Sequence, residues 1–578
     1  MAILAEPRPT DHSRIDTELE ELRAGAARWA ALPAADKAAV LSACLASVGR
    51  QTDRWIAAAA DAKGLTGTPL AGEEAISGPW AVLRALNAYI LTLRGIAATG
   101  AVPLDPQRVR TRDDGQVVVD VFPADVYDRI LLDGIRAEVW MQPGVTAKTL
   151  PETMGTWYRQ TQHEPRVALV LGAGNIASIA PLDVLYKLVA DGTVCALKMN
   201  PVNHYLGPIF EDAFAPLVEG GYLRFAYGGA DIGKYLCGHP AIDEIHITGS
   251  DKTHDAIVFG DGPDAADRKR RNDPILRKPI TSELGNVSPT IVVPGPWSDS
   301  DVAFQAENIV TQKLHNGGFN CIASQVLIVP RDWARTPDLI AAIDDVMRVL
   351  ADRPAYYPGA AARCDALARG RREIRTFGPN DGRYVARTIA VLDASNASEV
   401  AFTTEAFTPF LGMVALAGQT EAYLRDAVTF ANDKLWGTLG GNLIVHPGTM
   451  RRYADDFDRA VADLRYGCIG VNAWTGVGFL TCQTPWGAFP GHTLDDIRSG
   501  IGVVHNTYLF ARSQKSVVYA PFAPFPRSLF GYGSALLPKP PWFVTNRNQE
   551  KIGRALCDFE LEKSPLTMAK IAALAMTG

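Results

Sequence analysis

Val167-Ala168-Leu169-Val170-Leu171-Gly172-Ala173-Gly174-Asn175-Ile176-Ala177 is the stretch on which the fold class turns. An apolar run without a polar interruption, followed at once by glycines, predicts a buried strand opening into a tight turn. Leu182 to Ala190 then predicts a helix, and Thr193-Val194-Cys195-Ala196-Leu197-Lys198 a second strand. A helix over Gly207 to Val218 and a strand over Glu244-Ile245-His246-Ile247-Thr248 continue the alternation, which is that of a parallel α/β sheet. Thr290 to Val293 and Val326 to Val329 predict strands of a second α/β domain. Between the two, Asp261 to Lys278 is charged and poor in apolar residues, and is expected to be an exposed insertion.

Toward the N-terminus the pattern changes. Residues to about Thr17 are polar and contain proline, which predicts a loose arm. Glu18 to about Lys63 carries Leu, Ala, Val and Trp at helical spacing. Two amphipathic helices are expected there, broken near Pro33, which cannot continue a helix. In Gly64 to Gln162 only a helix over Trp80 to Ile96 and a strand over Gln116 to Val121 stand out. At the far end, Pro538 to Phe543 predicts a loop and Leu566 to Met576 a short amphipathic helix.

The bulk numbers exclude several classes. A chain of 578 residues exceeds one core and implies two or three domains. A formal net charge of −6 supplies no basic field for nucleic acid or an anionic membrane. The stretch Met1 to Pro9 ends before any apolar segment of signal-peptide length, and no unbroken apolar run reaches the ~18 residues that span a bilayer. Eight cysteines without a CxxC pair argue against a disulfide framework or a zinc ribbon, so no metal site is expected and reduced cytoplasmic thiols are.

Two segments carry the chemistry. Cys321 lies in His315-Asn316-Gly317-Gly318-Phe319-Asn320-Cys321-Ile322-Ala323-Ser324, among small and flexible residues. Glu283 lies in Ser282-Glu283-Leu284-Gly285-Asn286, read as a separate loop. A thiol and a carboxylate are the two parts needed to form and then hydrolyse a thioester. The other seven cysteines are expected to be buried small hydrophobes. Gly172 to Ala177 is formally a G-x-G-x-x-A dinucleotide fingerprint. The next strand, however, ends Lys198-Met199-Asn200-Pro201, without the carboxylate that standard Rossmann binding uses for the ribose.

With this order of motifs the chain resembles the aldehyde dehydrogenase superfamily, from about Glu21 to Tyr519. Asn316, Gly318, Cys321 and Ala323 stand where the signature N-x-G-x-x-C-x-A places them, with Phe319 in place of a frequent Gln. The resemblance implies a Rossmann-like cofactor domain, an α/β catalytic domain and a small β oligomerisation element. It also implies NAD or NADP as cofactor, an aldehyde substrate and a homodimer or homotetramer. It casts Asn175 as an oxyanion donor, Lys198 as the contact to the adenosine ribose, and Gly249-Ser250 as the start of a helix facing the pyrophosphate. Glu405 and Phe407, in Glu405-Ala406-Phe407-Thr408-Pro409, inherit the nicotinamide ribose and the side of its ring. Two departures are His254, where the family has Gly, and Pro201, where it has a glutamate linked to NAD preference; the second permits NADP. Arg268, Lys269, Arg270 and Arg271 are expected to be solvated rather than a phosphate clamp. Segments Gly467 to Asn472 and Pro485 to Phe489 correspond to family segments that shape the substrate side. There Trp474, Phe479, Trp486 and Phe489 suit an apolar or aromatic aldehyde or else form a core cluster.

The implied mechanism is attack by Cys321, hydride loss to the nicotinamide, and hydrolysis of the resulting thioester by water that Glu283 activates. An acyl-thioester-forming, coenzyme A-acylating enzyme and a non-catalytic scaffold or assembly subunit are the alternatives. The implied division is an arm over 1–17, a cofactor domain over 18–148 and 166–283, and a catalytic domain over 284–511. An oligomerisation element over 149–165 and 512–523, with a strand crossing to a partner subunit, and an extension over 524–578 complete it.

Overall fold

The computed structural model describes residues 8–529 and 535–578; the first seven residues of the expected arm, and 530–534 of the extension, lie outside the described residues. One sheet runs Gly500–Ile501, Ile280–Leu284, Glu244–Gly249, Val167–Leu171, Val194–Lys198, Leu223–Ala226. Its five longer strands are parallel, and Gly500–Ile501 is antiparallel to Ile280–Leu284. The order reverses between Val167–Leu171 and Glu244–Gly249, so the crevice at their C-terminal ends is where such sheets bind ligands. The expected strands are all present. The helix expected over Gly207 to Val218 is two, Gly207–Ala213 and Ala215–Glu219, broken at Phe214 ahead of Pro216.

The second sheet has eleven strands and is larger than the sequence implied. Its parallel centre holds Ser288–Val292 and Ser324–Pro330, flanked by Gly440–Ile444, Cys468–Val471, Phe410–Leu416 and Arg387–Val391. The strand Ser513–Tyr519, placed by resemblance where a family strand crosses to a partner, has neighbours on both edges in this chain. It lies parallel to Cys468–Val471 and antiparallel to Arg136–Met141. Lys515 fixes it there: its buried ammonium donates to the carbonyls of Val461, Ala462 and Leu464 at 2.7–2.9 Å, closing the end of helix Ala454–Asp463. The strands beside it come from Val117–Phe122 and Arg136–Met141, whereas 149–165 form short 3₁₀ turns.

The N-terminal arm is shorter than expected. Helix His12–Ala31 starts six residues before Glu18, because Ile15, Leu19 and Leu22 already bury on one face. Ahead of it Thr10 exchanges hydrogen bonds with Tyr227, giving 3.0 Å to its carbonyl and 2.9 Å from its N–H. Helix Ala34–Ala62 follows, Pro33 marking the break. The helix expected over Trp80 to Ile96 belongs to a longer run, Ala71–Thr99, kinked at Gly78 before Pro79. By length and composition that run could cross a membrane, yet more than half of its most apolar stretch is buried inside the fold. Arg84, within it, is ion-paired to Asp128 at 2.9 Å and Glu560 at 3.0 Å. Glu560 belongs to a C-terminal helix, Gln549–Leu561, which the sequence reading missed. With Pro565–Ala575 it packs the extension onto the N-terminal half.

Candidate active site

All eight predicted site residues line one cleft of about 1020 Å³, at the upper end of ligand-pocket sizes. Its floor is the topological switch point. Gly172, Gly174 and Asn175 come from the turn after Val167–Leu171, and Gly249 and Ser250 from the end of the neighbouring strand. Ser250 caps helix Asp251–Phe259, its hydroxyl accepting from the Thr253 N–H at 3.2 Å. The remaining free N–H groups of that first turn, with the positive end of the helix dipole, suit a phosphate. Lys198 ends the adjacent strand; burial lowers its pKa, and Asp231 opposes that shift.

At the other end of the cleft lie Cys321, Glu283 and Glu405. Glu283 is not on a loop, as the sequence suggested, but on strand Ile280–Leu284, held between Thr248 and Gly500. A central strand positions a carboxylate more rigidly than a loop does. Burial first, then the charge of Asp183, raises its pKa to about 8; hydrogen bonding with Cys321 and Trp486 opposes this and Glu405 adds to it. Burial, then Glu283 and Glu405, keep the Cys321 thiol well above its ordinary value. Thiol and carboxylate therefore converge within hydrogen-bonding reach, although the chain brings them from different sheets.

Cys321 follows three consecutive left-handed residues, Asn316 (φ 54°), Gly317 (68°) and Gly318 (83°). A side chain at Gly318 would also press against the Thr408 carbonyl. Asn175 reaches across to this loop, its amide donating to the Phe319 carbonyl at 2.9 Å. That leaves its second N–H for an oxyanion at Cys321. Glu405 accepts from the Asn286 N–H at 3.3 Å, and burial above all raises its pKa to about 8. Its approach needs Gly285, where a Cβ would overlap the carboxylate. Phe407 holds the left-handed φ of 42° because Arg363 clamps the carbonyls of Ala406 and Phe407, at 3.1 and 2.9 Å.

Comparison with known proteins agrees with this geometry. Residues 163–352 match the model of the aldehyde dehydrogenase family. N-succinylglutamate 5-semialdehyde dehydrogenase of Sphingopyxis alaskensis is 26% identical over 329 residues, 54% of this chain and 62% of that protein. Aldehyde dehydrogenase LUC3 of Fusarium is 29% identical over 182 residues, 30% of this chain and 35% of that protein. The aligned parts thus span about a third to two thirds of these relatives. Over nearly the whole chain the fold matches a Mycobacterium tuberculosis aldehyde dehydrogenase complexed with NAD⁺, with TM-score 0.57, 18% identity, and coverage of 90% and 92% of the two chains. Aldehyde dehydrogenase 21 from Physcomitrella patens, in complex with the reaction product succinate, gives 0.57 at 15% identity and 88% and 90% coverage. Residues 163–352, which carry Asn175, Lys198, Glu283 and Cys321, are thus similar to the aldehyde dehydrogenase family, and the chain shares the fold of these solved structures.

Against the family pattern, the departures acquire physical meaning. His254 is wholly buried and turned away from the cleft, which Thr253, Ala256 and Ile257 line instead. The carboxylate missing at Pro201 has a counterpart from another element: Asp231, in the first turn of helix Ala230–Gly238, lines the cleft and acts on Lys198. Much of the basic insertion is ion-paired, Arg268 with Asp264 and Asp273, Arg270 with Asp267, and Lys269 with Asp255 of the preceding helix. Of the expected aromatic residues, Trp474 and Trp486 are core, and none of the four lines the cleft. Six of the other seven cysteines are buried, as expected; Cys237 is half-exposed and lines the cleft.

A buried charged network beneath the cysteine loop escaped the sequence reading. The Lys63 ammonium donates to Glu74 at 2.8 Å, to the Asn175 carbonyl at 3.0 Å and to the Asn316 side chain at 3.1 Å. The Tyr356 hydroxyl meets the same Asn175 and Asn316 oxygens at 2.9 and 3.0 Å. Glu73 takes the Asn316 N–H and Arg353, each at 2.9 Å; despite burial, Arg353 and His315 hold its pKa below the usual carboxylate value. Glu73 and Glu74 lie in the first turn of the run Ala71–Thr99, ahead of its apolar stretch. Lys63→Met leaves Glu74 buried without its cation, so it is expected to cost about 3–5 kcal/mol of stability. By loosening Asn175 and Asn316 it should also lower kcat on the order of 10-fold while the cofactor KM holds. Denaturant melts and steady-state kinetics check both.

Proposed function

We propose that this chain catalyses NAD(P)-dependent oxidation of an aldehyde to a carboxylic acid. The observation that carries the reading is the meeting of Cys321 and Glu283 at one end of a cleft whose other end is built for a dinucleotide. Lys198, the N-terminus of helix Asp251–Phe259 and the half-buried acceptor Glu405 would hold ribose, pyrophosphate and nicotinamide ribose in turn, with Phe407 beside the ring. NAD(P)⁺, when bound, supplies the hydride acceptor.

Cys321 attacks the aldehyde carbon as its thiolate, and the Asn175 amide and the Cys321 N–H take the oxyanion. Loss of hydride from that carbon leaves a thioester on Cys321. Glu283 then removes a proton from water, the hydroxyl adds to the thioester carbon, the C–S bond breaks, and the acid leaves. The thiol requires activation, since the two carboxyls disfavour its ionised form. Protonation of Glu283 and Glu405 near neutral pH relieves part of that repulsion.

A panel of aliphatic and aromatic aldehydes with NAD⁺ and NADP⁺, followed at the reduced-nicotinamide absorbance, tests the reading. Turnover that requires coenzyme A would contradict the hydrolytic step. Because Asp231 sets a negative charge near Lys198, Asp231→Ser is expected to raise kcat/KM for NADP⁺ relative to NAD⁺, on the order of 10-fold. Paired kinetics with the two cofactors check it.

A further inference from the structure

Beside Glu283 runs a row of polar groups that the mechanism above does not use. Strands Glu244–Gly249 and Ile280–Leu284 are parallel and in register, so Thr248 lies opposite Glu283 and His246 opposite Thr281. Alternate residues share a face of a sheet, which places all four together. The Asp183 carboxylate, from helix Ile179–Val189, closes over them. The Thr248 hydroxyl donates to Asp183 Oδ2 at 2.8 Å and stands 3.3 Å from His246 Nε2; His246 Nδ1 is 2.9 Å from the Thr281 hydroxyl. Asp183, His246, Thr248 and Glu283 are buried, and Thr281 is half-buried, so the row ends at the surface.

Two further facts join the row to the active site. Among the described residues neither Asp183 Oδ1 nor Glu283 Oε1, both buried, has a hydrogen-bond partner, and Thr248, whose hydroxyl donates to Asp183, is the register partner of Glu283 on the neighbouring strand. Among the described residues neither Asp183 nor Glu283 has a lysine or arginine partner, and His246 Nε2 stands 3.6 Å from Asp183. A purely structural core would be served as well by apolar side chains of similar size, which carry no unpaired buried carboxyl.

We propose that Asp183, Thr248, His246 and Thr281 form a proton exit from Glu283 to solvent, used while the cofactor fills the cleft. The proposal rests on the hydrolytic reading above. In the deacylation step a water proton passes to Glu283 as the hydroxyl adds to the thioester carbon and the C–S bond breaks. Glu283 must lose that proton before the next turnover, and a filled cleft closes its route past Cys321. Along the row, Asp183 accepts it, the Thr248 hydroxyl and the His246 ring pass it on by exchanging donor and acceptor roles, and Thr281 delivers it to water.

Thr248→Val and His246→Ala test this, with Thr248→Ser as the conservative control. In stopped-flow kinetics the first turnover, which reports attack and hydride loss, is expected to stay at the wild-type rate. Steady-state turnover in Thr248→Val and His246→Ala is expected to fall on the order of 10-fold, so that each gains a burst of reduced nicotinamide. Thr248→Ser should keep most of the turnover, and added imidazole should restore much of it in His246→Ala. The rising limb of the pH profile should shift in the variants, since Cys321, Trp486, Asp183 and Glu405 all face Glu283 and only the Asp183 side is altered. An intact first turnover with unchanged steady-state rate and pH profile in Thr248→Val and His246→Ala would overturn the exit path alone. Failure of the wild type to form reduced nicotinamide from any aldehyde overturns the path and the hydrolytic reading together.

Discussion

Cys321→Ala is expected to abolish aldehyde oxidation, lowering kcat/KM on the order of 10⁴-fold or more while cofactor binding persists. The thiol supplies the bond that holds the acyl group, and Asn175, Glu283 and Glu405 cannot substitute for it: the first two act on intermediates that Cys321 has formed, and Glu405 on the cofactor. The fold should tolerate the change. Cys321 is half-buried at the cleft end, so the alanine removes a sulfur facing the pocket rather than a core contact. Retained cofactor quenching of intrinsic fluorescence, with activity lost, is the expected pair of observations.

Glu283→Gln should have the second largest effect and a different signature. Without a base, hydrolysis is expected to slow 10²- to 10⁴-fold while acylation of Cys321 continues, so that one equivalent of reduced nicotinamide appears and turnover nearly stops. In the wild type, kcat limited by hydrolysis is expected to rise with pH through an apparent pKa near 8, and this limb should vanish in the variant. Stability carries the opposite sign. Glu283 and Glu405 each bind their proton more tightly folded than unfolded, their pKa values raised from 4.5 to about 8. The folded state therefore loses stability as pH climbs from about 4.5 through about 8, and keeps that contribution at lower pH. Glu283→Gln and Glu405→Gln are expected to melt with the wild type at pH 5 and a few degrees above it at pH 9. Calorimetry at the two pH values checks this.

How much of this was legible in the sequence depended on how local the signal was. Val167 to Leu171 and its glycine turn are local, and the six-stranded sheet follows from their repetition. Cys321 and its neighbours were legible because small residues must surround a loop that winds through three left-handed positions. The strand identity of Glu283 was not, since Ser282-Glu283 interrupts the apolar pattern that marks a buried strand; the polar face is spent on Asp183, Thr248 and the active site. Asp231 and Lys63 were hidden for a related reason. Each meets the site from an element distant in sequence, and a lone charged residue on a helix reads as solvated until the fold places it. The pairing of Ser513–Tyr519 within the chain was equally unreadable, as backbone hydrogen bonds leave no mark on side-chain pattern, although Lys515 in an apolar strand was the one residue out of character.

The most direct measurement is the intact mass of Glu283→Gln after one turnover with an aldehyde and NAD(P)⁺, followed by peptide mapping. A covalent adduct on Cys321 equal to the aldehyde less two hydrogen atoms is expected, persisting in the variant and absent from the wild type. No adduct alongside formation of reduced nicotinamide, or an adduct on a different cysteine, would contradict it.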